Sequence, residues 1–150
     1  MRRRASWLVL GLFSFFLYAC GSNTPEKVDA RDLNPFSPDA LCAYHIGDPE
    51  AGQTIFSQPV IGGKGGCITC HSAAPDITLS GPSLYGIATT AESRISGVIP
   101  ANYIYVSIVD PNYSVVDGFS TDIMPNHYYE ELTKEEITNL VSYLMTLTSE

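Results

Sequence analysis

Two thiols one helical turn apart, with an imidazole directly after the second, constrain this chain more than any other feature. They lie in the run Cys67-Ile68-Thr69-Cys70-His71. Thiols at that spacing can each add across a vinyl group of a porphyrin, and the adjacent imidazole then falls beneath its iron. The run therefore predicts one covalently held haem c, with Cys67 and Cys70 as attachment points and His71 as proximal ligand. A redox dithiol, half of a zinc site and a structural disulfide are the competing chemistries. Zinc would need two more ligands, and only Cys42, His45 and His127 remain to supply them.

The N-terminus predicts where such a group is attached. Met1-Arg2-Arg3-Arg4 is a positive start, and Trp7 to Tyr18 is an almost unbroken apolar run that stops before Ala19. A dozen residues make a helix of roughly 18 Å, short of the roughly 30 Å hydrocarbon core, so a secretory signal is favoured over a spanning helix. Leu17-Tyr18-Ala19-Cys20 followed by Gly21 resembles the bacterial lipobox, with Tyr18 bulkier than is usual there. That resemblance implies a lipoprotein signal peptide over 1–19 and a lipidated Cys20. The other reading of Cys20 is an ordinary cysteine at the end of the apolar run. Residues 20–45, rich in proline, asparagine and charge with little to bury, are expected to be a flexible tether. Residues 46–150 are expected to form one domain. The expected location is the extracytoplasmic, periplasmic face of a bacterial membrane.

Charge narrows the partners. The chain carries eight basic and sixteen acidic residues, and loss of Arg2, Arg3 and Arg4 with the signal leaves five against sixteen. Such a field disfavours nucleic acid and speeds encounter with basic protein patches. Cys42 is left without an assigned partner, and Cys42 with His45 is half of a metal site at most.

Local patterns place three helices. Asp48-Pro49-Glu50 gives a capping aspartate, proline at the first helical position and acid in the first turn, ahead of Ile55 and Phe56. Thr133-Lys134-Glu135-Glu136 is a capping box, flanked by Leu132 and Ile137, and Ile137, Leu140, Val141 and Leu144 form one apolar stripe. That stripe needs a partner, for which the helix at 51–56 is the expected choice. Tyr103 to Val109 has strand-like propensity, yet Ile104 and Ile108 also fit helical spacing, and Asp110-Pro111 would end a helix there. Gly62 to Gly66 reads as a flexible approach to Cys67.

Cys67-x-x-Cys70-His71, Gly81-Pro82-Ser83-Leu84-Tyr85-Gly86-Ile87, Tyr103 to Pro111 and Ile123-Met124-Pro125, in that order before a capped terminal helix, resemble monohaem class I cytochrome c. The resemblance spans about residues 47 to 148. It implies an all-α fold, with helices wrapped around one haem, first and last helices in contact and one porphyrin edge exposed. It favours a helix over 101–109 and maps the distal methionine onto Met124. It also places Pro82 beside the proximal histidine and puts Leu84, Tyr85, Ile104 and Ile108 against the haem. A thioether is a soft neutral ligand that raises the potential and closes the sixth position. Met145, at the edge of the last helix, reads as core filling. His127 is either an alternative ligand or simply exposed, and Arg94 either pairs with a propionate or is solvated.

The function expected is single-electron transfer by a membrane-tethered carrier, between a quinol-oxidising complex and a downstream acceptor. No catalytic residue and no small-molecule substrate are expected. Similar subunits occur in alternative complex III and other respiratory or photosynthetic complexes, so redox proteins of such a complex are the expected partners. An open-site haem enzyme or a gas or redox sensor is the alternative, with Met124 merely packed.

Overall fold

In the computed structural model, residues 47–149 are described; the signal peptide, Cys20, the tether and Cys42 with His45 lie outside them. The described chain runs α1 (Pro49–Phe56), β1 (Val60–Ile61), β2 (Lys64–Gly65), a 3-10 turn (Cys67–Thr69), α2 (Ile87–Thr90), a second 3-10 turn (Ala91–Ser93), α3 (Pro100–Val109), α4 (Tyr128–Glu131) and α5 (Lys134–Leu144). It is an all-α fold with one two-stranded ribbon. Among the described residues no helix is long and apolar enough to cross a membrane.

Both ends of the domain form as their local chemistry dictates. The Asp48 carboxylate accepts from the amides of Glu50 and Ala51 at 2.9 and 3.2 Å, satisfying two of the donors that the start of α1 leaves open. At α5 the Thr133 hydroxyl accepts from the Glu136 amide at 3.2 Å, while the Glu136 carboxylate accepts from the Thr133 amide at 2.7 Å. The capping box is therefore closed in both directions. Ile137, Leu140, Val141 and Leu144 are all buried.

The stripe's main partner is α1, the most extensive helix contact in the fold. The two backbones come close enough that a Cβ on Gly52 would lie 2.0 Å from the carbonyl oxygen of Asn139. Beside that contact the Asn139 side chain accepts from the Asp48 amide at 2.8 Å, and Phe56 and Tyr143 meet ring to ring at 5.4 Å. Residues 100–109 form a helix despite their β-branched and aromatic content. Pro100 opens it, and nearly every residue along it is buried, so burial on all sides overrides local propensity. Asp110 leaves helical geometry before Pro111.

The glycine run corrects an expectation. Residues 62–66 are not a loose approach but the turn and second strand of an antiparallel hairpin, with Val60 opposite Gly65 and Ile61 opposite Lys64. Gly62 and Gly63 both have positive φ, 58° and 77°, which is what a two-residue hairpin turn requires and what side chains resist.

Gly52→Ala is expected to lower stability by about 1–3 kcal/mol by forcing α1 away from α5. A guanidinium unfolding midpoint equal to that of the natural chain would show that the two backbones can separate freely.

Candidate haem site

A large cleft opens between α3, the 3-10 turn at Cys67, the segment 80–84 and the long connection from Pro111 to Met124. Its non-atom space, open mouth included, is about 1140 Å³. Its lining is dominated by apolar side chains: Leu84, Ile104 and Ile108 stand with Phe56, Leu140 and Leu144 from the α1–α5 pair. Cys67, Cys70, His71, Pro82 and Met124 line the same cleft. The chain thus gathers at one place residues that span 67 to 124 in sequence.

The proximal side is fixed by backbone geometry. Cys67 to Thr69 form one tight turn, in which the amides of Cys70 and His71 both donate to the Cys67 carbonyl, at 3.2 and 3.0 Å. That turn carries both sulfur atoms into the cleft wall. The Nδ1–H of His71 donates to the Pro82 carbonyl at 2.8 Å, which leaves Nε2 with the free lone pair. Burial holds the His71 imidazole below its usual pKa, with the Pro82 carbonyl opposing that shift. The neutral ring is the form that can ligate a metal. Gly81 is required here because a Cβ at that position would lie 2.5 Å from His71 Cε1.

The sulfur chemistry also suits a covalently held porphyrin. Burial, chiefly, pushes the Cys67 thiol up to about 11, with its own backbone hydrogen bond opposing and Cys70 adding to the rise. A site that penalises thiolate so strongly accommodates an uncharged thioether sulfur readily. No disulfide joins Cys67 and Cys70. Among the described residues no group of three His, Cys, Asp or Glu side chains is placed to hold a metal ion, which leaves the zinc reading without its ligands there. The residues present fit a flat, apolar, iron-bearing ring.

Several expected positions fall elsewhere. Tyr85 does not line the cleft. It is 40% exposed and borders a shallow surface hollow with Ala73 and Thr146 to Thr148, because the chain turns outward after Leu84 to enter α2. Of the tyrosines among the described residues only Tyr103 lines the cleft. His127 is neither exposed nor at the cleft: it is 7% exposed and bonds to the Ile61 carbonyl. Met145 is the C-cap of α5 and packs against the core. Arg94 does border the cleft, as the one charged side chain among its lining residues.

Sequence reading missed the wall formed by the 111–124 connection. Val115, Val116 and Phe119 line the cleft from it, and Asn112 ties it together. The Asn112 amide donates to the Asp122 carboxylate at 2.8 Å, and the Asp122 backbone amide donates back to the Asn112 side chain at 2.9 Å. Asp122 sits at φ 61°, a left-handed geometry that aspartate tolerates better than most residues. An irregular segment has no period to betray an inward face; its only signal was three large apolar residues among turn formers.

Gly81→Ala is expected to destabilise the domain by about 1–3 kcal/mol and to shift the absorption of the haem-loaded protein by displacing His71. A variant matching the natural chain in both would show that the imidazole has room to move. A second expectation concerns Tyr128, whose hydroxyl is raised to about 12, chiefly by burial. Since the unfolded chain ionises near 10, folding stability is retained below that pH and lost as pH rises towards 12. The alkaline loss of stability should be smaller in Tyr128→Phe, and an identical pH profile would mean that the phenol is not buried in solution.

A family model described as Cytochrome c matches residues 49–148. No curated protein and no solved structure gives a match.

Proposed function

Since the chain belongs to the cytochrome c family, as a monohaem class I member with covalently attached haem c, we propose that it carries single electrons by way of Cys67, Cys70, His71 and Met124. Haem-based electron transfer is the activity of that family. When bound, the group supplies a one-electron ferric–ferrous couple. Everything else asked of the chain is positioning, exclusion of water and choice of partner.

The observation that carries the assignment is that both thiols, the oriented imidazole and the thioether all line one apolar cleft. In this reading Cys67 and Cys70 would bear the thioether links, and His71 Nε2 and the Met124 sulfur would be the protein's ligands to the iron. Pro82 holds the His71 ring through its carbonyl. Leu84, Ile104 and Ile108 exclude water, which lowers the local dielectric. Arg94 borders the cleft and would pair with a carboxylate of the bound group.

The docking side follows from charge. Eleven carboxylates stand against three cations between residues 47 and 149, yet no carboxylate lines the cleft. A partner with a basic rim around its own redox centre fits such a surface, with encounter rates that fall as salt rises. We assign the donor to a quinol-oxidising complex and the acceptor to a downstream redox protein. The chain is held at the periplasmic face of the membrane through a lipid on Cys20 and the tether at 20–45. The support for that part is the N-terminal sequence pattern alone.

Met124→Ala tests the assignment. In the natural chain, the ferric protein is expected to show the methionine-to-iron absorption band and the ferrous protein to refuse carbon monoxide. The variant should lose the band and bind the gas. A natural chain that binds carbon monoxide and lacks the band would instead be an open-site enzyme or sensor.

A further inference from the structure

We propose that His127 and Tyr128 form a strap that fastens the Met124 loop to the hairpin delivering Cys67, and that they thereby keep Met124 in its distal position. The proposal rests on the reading of Met124 as the distal ligand.

Met124 needs such a restraint because residues 110–127 contain no helix or strand of their own. Just after Met124, the His127 Nε2–H donates to the Ile61 carbonyl at 3.0 Å. The Tyr128 hydroxyl donates to the Gly65 carbonyl at 2.7 Å. The partners lie 66 and 63 residues apart, so these bonds join two distant arms of the cleft. One acceptor is on β1 and the other on β2, two residues before Cys67. The imidazole and phenol rings meet at a tilt of 36° with centroids 4.7 Å apart, and both residues are buried, 7% and 3% exposed.

Neither side chain lines the cleft, so contact with the bound group does not explain them. Simple core filling does not explain His127 either. Donation to Ile61 puts the hydrogen on Nε2 and leaves Nδ1 as a buried atom with no hydrogen-bond partner among the described residues. Burying a bare imidazole nitrogen is unfavourable, and a leucine would fill the space without that penalty. What leucine lacks is a donor for the Ile61 carbonyl. Pro125 has a fixed φ and only Asn126 separates it from His127, so a backbone displacement at Met124 has little chain in which to dissipate before it loads the strap.

An added ligand that displaces Met124 must therefore open these bonds first. The test uses the full-length, haem-loaded ferric protein, with imidazole as the probe, and follows loss of the methionine-to-iron band. His127→Leu and Tyr128→Phe are expected to bind imidazole about tenfold more tightly, the effect of losing one buried hydrogen bond. Amide exchange over residues 60–66 should quicken in both. His127→Gln, which keeps a donor within reach of Ile61, should return towards the natural affinity. Ile137→Val, a core change at a residue whose side chain makes neither of these bonds, should lower stability and leave imidazole affinity unchanged. Natural affinity in His127→Leu and Tyr128→Phe, or equal tightening by Ile137→Val, would overturn the strap while the band still upholds Met124 as ligand. Absence of the band from the natural chain would overturn the ligand reading and the strap with it.

Discussion

The close crossing of α1 on α5 is the contact on which the rest of the structure depends. It joins the first and last elements of the domain, and it is possible only because Gly52 leaves room for the Asn139 carbonyl. From that crossing Phe56, Leu140 and Leu144 reach the cleft, so the pair that closes the domain also supplies part of the wall around the cofactor. Ile137, Leu140 and Val141 are almost wholly buried beside it. A small domain has little apolar area to spare, and using one helix pair for both purposes is an economical solution.

Around that core the site is held mainly by side chains bonding to backbone carbonyls. His71 bonds to Pro82, His127 to Ile61 and Tyr128 to Gly65. The first joins two irregular segments, and the other two tie the end of the 110–127 connection and the start of α4 to the hairpin. Most of the cleft wall is in fact irregular: the segment 80–84 and the connection 111–124 between them contribute more of it than any helix. Such segments can adapt to a flat ligand, and the side chain–carbonyl bonds restore the rigidity that secondary structure would otherwise give.

Electrostatics divide the molecule in the same way. Within the cleft, burial keeps the His71 ring and the Cys67 sulfur uncharged, which suits a neutral ligand set and thioether links. Outside it, carboxylates dominate. The result is a low-dielectric centre within an acidic shell.

The sequence alone determined the elements whose information is local. The aspartate cap and proline of α1, the capping box of α5 and its apolar stripe are each written within a dozen residues, and each took the expected form. The ordered motifs were also enough to identify the fold class. Tertiary structure decided what depends on residues far apart in the chain. It made a helix of 100–109 by burying it on nearly all sides, turned the glycine run into a hairpin by pairing 60–61 with 64–65, and moved Tyr85 outside the cleft. It took His127 into the interior, against Ile61. The physical reason is common to all of these: burial and long-range hydrogen bonds depend on which segments meet in space, and neither a propensity nor a period carries that information.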